Sequence, residues 1–212
     1  LCDRRQRQMC IRDSDYAGVN PQNGNALWRN EEGLLTENYG EARRINAGSP
    51  EPLWTGGFNT ELSWKGISLG IQLEARYGNK VLNQDRSLFE ADGSYGDSNI
   101  WKGALNYWKK PGDTNVLPKP IYNNSSNSSQ ISTRYLEDGS YLRIKDITLA
   151  YNLPSKWTKK ALMSGVRIYA SALNLYTFHN MNYWDPEHGT TGATIISYPM
   201  TRSMIVGVDI TF

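Results

Sequence analysis

Apolar and polar residues alternate with a period of two along five segments of this chain, the pattern of strands that turn one face to an apolar phase and the other to water. Ile67–Tyr77 is the cleanest: Ile67, Leu69, Ile71, Leu73, Ala75 and Tyr77 alternate with Ser68, Gly70, Gln72, Glu74 and Arg76. Upstream, Trp54–Lys65 sets Phe58, Thr60, Leu62 and Trp64 against Gly57, Asn59, Glu61, Ser63 and Lys65, and Lys65-Gly66 predicts a tight hairpin turn between the two. A third strand, about Ser140–Asn152, opposes Ile147, Leu149 and Tyr151 to Asp146, Thr148, Ala150 and Asn152; its first part, with Arg143 and Lys145, is more polar. Pro154 and SKWTKKALMSG (155–165) then predict a short helical turn, with Ser155 as N-cap and Gly165 as stop. Val166–Thr177 and Met200–Phe212 complete the set, the latter alternating Met204, Val206, Val208, Ile210 and Phe212 with Ser203, Ile205, Gly207, Asp209 and Thr211.

The connections alternate in length. They are long before Trp54, short at 65–66, long over 78–139, shorter over 153–164 and long over 178–199, and the longest contains the low-complexity run NNSSNSSQ (123–130). A structureless connection of that size is foreign to a compact soluble domain, whereas outer-membrane barrels have short periplasmic turns and long outer loops. Two all-β solutions fit the alternation itself. In a soluble sandwich the apolar faces meet a second sheet; in a membrane barrel they meet lipid while Glu74, Arg76, Arg167 and Asp209 face a watery lumen.

Composition adds to this picture. Only 39% of residues are hydrophobic, and 13 Tyr and 7 Trp stand against 4 Phe, a bias toward aromatics that sit where an apolar phase meets water. Charged residues, Asn or Gly interrupt every apolar run before it reaches the ~20 residues of a spanning helix, so a helical membrane protein is excluded. Residues 4–14, RRQRQMCIRDS, back-translate to DNA that resembles a transposon-based sequencing adapter, so Leu1–Ser14 is set aside as an artefact and the coding frame is expected to extend upstream. That segment holds four of the 23 basic residues, two of the 21 acidic ones and both cysteines. What remains is uncharged overall and free of cysteine, with no basic patch for nucleic acid.

The strings EDGSYLRIKDITLAYNLPSKW (137–157), VRIYASALNLYTF (166–178), YWDPE (183–187) and YPMTRSMIVGVDITF (198–212) resemble the C-terminal end of SusC/RagA-type TonB-dependent outer-membrane transporters. NPQNGNALWRN, GSPEPLWTGGFNTELSWKGISLGIQLEARYGNKV and YWKKPGD resemble the same family in the same order. The likeness covers about Asp15–Phe212. It implies an all-β fold in which antiparallel strands form the last part, about five strands, of a 22-stranded transmembrane barrel. The expected organisation is an extracellular loop at 15–53, a hairpin at 54–77, a long extracellular loop at 78–139 and the last three strands at 140–212. The resemblance further implies import of oligosaccharides or peptides, no enzymatic activity and no cofactor. Its implied partners are a SusD-like lipoprotein, the TonB complex through an N-terminal part not in this chain, outer-membrane lipid and the barrel assembly machinery. The rival from another class is a soluble all-β carbohydrate-binding module.

Catalytic and metal chemistry find little support. His179 and His188, with Asp185 and Glu187, fit no zinc spacing; DGSYGDSN (92–99) lacks the EF-hand spacing; and Asp185 with Glu187 lacks an environment that would split their pKa values as a glycosidase needs. No phosphate loop or nucleophile motif is present. The loop aromatics Trp101, Trp108, Tyr183 and Trp184, with Tyr107, are candidates for stacking on a ligand or packing on a partner, against the plainer reading that they anchor loops. Trp64, Tyr77 and Tyr151, at strand ends, are expected in an aromatic girdle. The spacing Ile205-x-Gly207-x-x-Ile210-x-Phe212 resembles the terminal-strand signal by which outer-membrane barrels are recognised for assembly, so Gly207, Ile210 and Phe212 are candidate signal residues.

Overall fold

The computed structural model describes residues 11–95, 99–124, 126–189, 193–194 and 200–212. They divide into two compact units. One is a five-stranded antiparallel sheet, and the other is built from the long connections.

The sheet comprises β1 (Trp54–Trp64), β2 (Ile67–Tyr77), β3 (Tyr141–Asn152), β4 (Gly165–His179) and β5 (Ser203–Thr211), ordered β5-β4-β3-β2-β1 so that each strand pairs with its sequence neighbour. Lys65 and Gly66 both have positive φ, 49° and 88°, the type I′ hairpin geometry whose twist matches that of the strands. Gly66 is required there, because a Cβ would stand 2.9 Å from the Asn152 carbonyl oxygen.

Residues directly opposite one another in an antiparallel pair share a face, so the register defines the two surfaces. Leu62, Leu69, Leu149, Ala170 and Val206 form one row of the apolar face, and Thr60, Ile71, Ile147, Ala172 and Met204 the next. On the opposite face stand Gln72 with Asp146, Gly70 with Thr148 and Ser171, and Arg167 with Asp209. The two faces are those the alternation predicts.

Above Asp146 the pairing shifts. Lys145 of β3 lies opposite Asn174 and Leu175 of β4, between the pairs Ile144–Tyr176 and Asp146–Leu173. Such a bulge inserts a residue without a partner and resets the parity of the strand. Leu142 and Ile144 thereby join the apolar face with Ile147, and Tyr141 and Arg143 join the polar face with Asp146. The polar first part of β3 is thus a continuous two-faced strand with one residue inserted.

The turn after β3 differs from expectation. Pro154, not Ser155, occupies the N-cap position of Ser155–Thr158, and no side chain caps it. The turn ends at Leu162 in the left-handed conformation, φ 59°, while Gly165 is already the first residue of β4.

The second unit takes in most of the two connections expected as extracellular loops at 15–53 and 78–139, its share of them being residues 15–51 and 79–138. Tyr16–Val19, Ala26–Arg29 and Leu35–Thr36 form a small antiparallel sheet, while Lys80–Asn83 pairs with Leu136–Asp138 and with Ala193–Thr194. Ile11–Ser14, set aside with the N-terminal segment, pairs with Arg44–Gly48; residues 1–10 lie outside the described ones. Trp28, Val81 and Tyr135 are fully buried, with Tyr39 5.5 Å and Tyr16 6.4 Å from Trp28, both edge-on.

Beside this aromatic core lies a buried ionic cluster. Arg134 donates to both carboxylate oxygens of Asp92, one at 3.0 Å, and to Glu90 at 3.4 Å, and its guanidinium stands 5.0 Å from the Tyr135 ring. Arg86, in the helix Gln84–Glu90, bridges Glu90 at 2.8 Å and Glu137 at 2.7 Å. The low-complexity run belongs to the same cluster: Ser128 donates to Asp92 at 2.7 Å, and buried Asn124 donates to Ser128 at 3.0 Å. Burial works against the charge on Arg134, yet the hydrogen bonds and field of Asp92 outweigh it and hold its pKa above the ordinary value. Burial likewise pushes the Tyr16 hydroxyl up to about 12.

Removing one partner of such a cluster leaves uncompensated buried charge, at a cost of about 3–5 kcal/mol. Arg134→Met should therefore strip hydrogen-exchange protection from the Trp28 and Val81 amides, while Lys110→Met, at an exposed position, should leave it intact. Equal protection in both variants would show that the cluster does not hold the unit together.

Candidate functional site

The bulge and the register gather charged groups on the polar face of the sheet, at the end away from the Lys65-Gly66 turn. Tyr141 of β3 donates its hydroxyl to Glu74 of β2 at 2.8 Å. Lys145 reaches the same carboxylate at 3.1 Å and Arg76 at 3.7 Å. The Tyr141 ring also faces two cations, with the Arg143 guanidinium 5.5 Å and that of Arg76 5.8 Å from its centre. Midway along the sheet, Thr148 and Ser171 both donate to Asp146, at 2.8 and 2.9 Å. The face is therefore a connected run of paired charges and hydroxyls, each half-exposed group having an alternative partner in water.

Arg143 is completely buried and ion-paired with Asp185. This pair, together with buried Met181 and Pro186, fixes the segment after β4. Tyr183, with φ 69°, is held half exposed and Trp184 partly exposed beside it. The two aromatics line a cavity of about 310 Å³ together with Arg143, Asn174, Thr177, His179, Asp185, Met200 and Arg202. A pocket with two aromatic surfaces, a buried ion pair and an exposed arginine can hold a polar, flat-faced solute by stacking and charge-assisted hydrogen bonds.

The sequence candidates separate accordingly. Tyr183 and Trp184 belong to this cavity, as do His179 and Asp185, which the sequence offered only as unsupported metal ligands. Trp101 and Trp108 lie in the other unit and are used by their own chain. The Trp108 indole donates to the Pro21 carbonyl at 3.1 Å and packs on Gly24, where a Cβ would come within 2.6 Å of the ring. The Trp101 ring covers Gly103, leaving only 2.0 Å for a Cβ there. Glu187 lies in the short helix Pro186–Gly189, the side chain of His188 is not among the described ones, and the 92–99 run includes residues 96–98, also outside them.

At the other end, Arg167 pairs with Asp209 at 3.5 Å and lies 5.5 Å from the Tyr169 ring. Tyr169 is directly opposite Gly207 and lies over it, for a Cβ on Gly207 would come within 2.4 Å of the ring. Ile210 and Phe212, on the apolar parity, are exposed. The sequence singled out Gly207 but not Tyr169, whose relation to it depends on the β4–β5 register.

A single antiparallel sheet with an exposed apolar face, a charged opposite face and elaborated connections is the architecture of an outer-membrane barrel wall. No family model matches the chain, but individual relatives do. It is 31% identical over 182 residues to TonB-dependent receptor P3 of Formosa agariphila, covering 81% of this chain and 17% of that receptor, and 28% identical over 179 residues to TonB-dependent receptor P26 of the same organism, with 78% and 17% covered. The fold matches the structure of the RagAB peptide transporter with a TM-score of 0.81 and 30% identity, over 96% of this chain and 23% of that one. By sequence and by fold the chain belongs with the TonB-dependent receptors of the SusC/RagA type. It spans about a sixth of the length of the curated relatives it matches.

The Tyr169–Gly207 contact yields a test. Gly207→Val should lower the yield of folded receptor, measured by heat-modifiable migration of outer-membrane fractions, and adding Tyr169→Ala should restore part of it. If the second change restores nothing, the ring is not what requires glycine at 207.

Proposed function

We propose that this chain is barrel wall and outer loops of a TonB-dependent importer that carries polar oligomeric nutrients, oligosaccharides or peptides, across the outer membrane. The observation that carries this reading is the sheet with one continuous exposed apolar face and one hydrogen-bonded charged face, in a chain whose fold follows that of a peptide transporter. β2 has 11 residues; at about 3.3 Å per residue and a tilt of ~40°, it crosses roughly 25 Å, the height of the apolar band of such barrels. Trp54 and Tyr77 are paired at one end of the hairpin, and Trp64 stands at the other in one row with Ile67 and Tyr151, positions suited to the two aromatic girdles.

In this reading the turns at 65–66 and 153–164 face the periplasm, and 78–139 and 178–199 face outward. The polar face lines the lumen, and the Tyr183–Trp184 cavity is a solute contact on its wall. A SusD-like lipoprotein covers the outer side, and TonB supplies energy through parts of the receptor beyond this segment. Gly207, Ile210 and Phe212 act in recognition by the assembly machinery. Phe212 ends the strand with an exposed apolar ring, and Gly207 leaves space for Tyr169 in the same strand pair.

Three measurements test this. Cysteine labelling of intact cells carrying the full receptor should reach position 127 but not 159; the reverse would invert the topology. Arginine at Ile71 should destabilise the barrel by about 2–4 kcal/mol and arginine at Gln72 far less, so equal effects would refute the register. Uptake of labelled oligosaccharide and peptide mixtures by a receptor-deletion strain should be restored by the wild-type receptor and weakened by Trp184→Ala with normal insertion. Uptake indifferent to the receptor would overturn the importer assignment.

A further inference from the structure

The apolar face is not uniform. Along β4 its residues run Ile168, Ala170, Ala172, and the two alanines are flanked on one side by Leu149 and Ile147 of β3 and on the other by Val206 and Met204 of β5. Two methyl groups between two ranks of long side chains leave a furrow running along the strand. At the Ala170 end of this furrow the structure contains a groove of about 570 Å³, bounded among others by Leu149, Tyr151, Ile168, Ala170 and Val206. Lys65 of the hairpin turn also lines it.

Lys65 has no carboxylate partner among the described residues, and its ammonium stands 4.7 Å from the centre of the Trp64 ring. The groove therefore joins an apolar channel to a cation at the end where the strands leave the apolar band. Three further lysines, Lys156, Lys159 and Lys160, are exposed in the neighbouring turn between β3 and β4, which contains no acidic residue. This end of the sheet thus favours an anion.

We infer that this groove is a binding site for one phospholipid, an acyl chain lying in the Ala170–Ala172 furrow and the anionic phosphodiester held by Lys65. The inference rests on the reading that the apolar face meets lipid. An alkyl chain in the furrow gains close contact on both flanks, which flat strand faces do not offer, and each basic residue near the headgroups adds an attraction for anionic lipid. With the 65–66 turn in the periplasm, the lipid is one of the inner leaflet.

The test uses the full-length receptor purified from outer membranes in mild detergent, examined by native mass spectrometry after incubation with mixed micelles of equal phosphatidylglycerol and phosphatidylethanolamine. The wild-type receptor should retain one phospholipid and prefer phosphatidylglycerol. Ala170→Leu with Ala172→Leu fills the furrow while keeping the face apolar, and should reduce retention about tenfold, the effect of losing about two methylene contacts. Ala170→Leu alone serves if the double variant inserts poorly. Lys65→Gln should keep the lipid but lose the preference for phosphatidylglycerol. Undiminished retention in a furrow-filled receptor that still shows heat-modifiable migration overturns the site, and an unchanged preference in Lys65→Gln overturns the headgroup assignment. Failure of the underlying membrane reading looks different: the wild-type receptor would then be missing from the outer-membrane fraction.

Discussion

The backbone of an antiparallel strand directs its donors and acceptors sideways, so each strand's partners determine which of its side chains share a surface. In this sheet that ladder fixes everything else. Ile71 shares a row with Ile147, Ala172 and Met204, and Gln72 is paired with Asp146; a one-residue slip of β2 would set an isoleucine among carboxylates and a glutamine among aliphatics. The bulge at Lys145 preserves this segregation. Without it, Leu142 and Ile144 would share a face with Asp146, and Arg143 would point into the apolar surface instead of pairing with Asp185.

Much of this was legible in the sequence, for a physical reason. The period of two depends only on near neighbours along the chain, so β2 could be bounded from its own residues, and the Lys65-Gly66 turn follows from the positive φ that Gly66 adopts without strain. The bulge left a weaker trace, a stretch that read as merely more polar, because an inserted residue shows itself only when the partner strand is known. The helical turn after β3 is legible in the residues but its ends are not, since Pro154 accepts from the Trp157 amide with its carbonyl and offers no capping side chain.

The loop-derived unit was the least legible part. Its core is made of pairs distant in sequence, Arg134 with Asp92 and Arg86 with Glu137, and no periodicity announces such a cluster. The run NNSSNSSQ has the composition of a tether, yet Asn124 and Ser128 are buried because the Ser128 hydroxyl satisfies Asp92 and the Asn124 amide satisfies Ser128, where apolar side chains could not. The aromatic candidates divided on the same principle. Trp101 and Trp108 each met a glycine of their own unit, an encounter spacing does not foretell, while Tyr183 and Trp184 were held out by the Asp185 ion pair next to them.

The pairing of Lys80–Asn83 with Leu136–Asp138, and the bond from the Gly78 amide to the Ser140 hydroxyl at 3.0 Å, bear on how β2 and β3 meet. Were residues 79–138 a flexible coil, joining those strands would cost about 3 kcal/mol more in chain entropy than closing the two-residue turn at 65–66. A connection that folds on its own charged cluster has already brought its two ends together. The strands it links are then kinetically near neighbours despite their separation in sequence, and the slowest closure in the sheet becomes a local one.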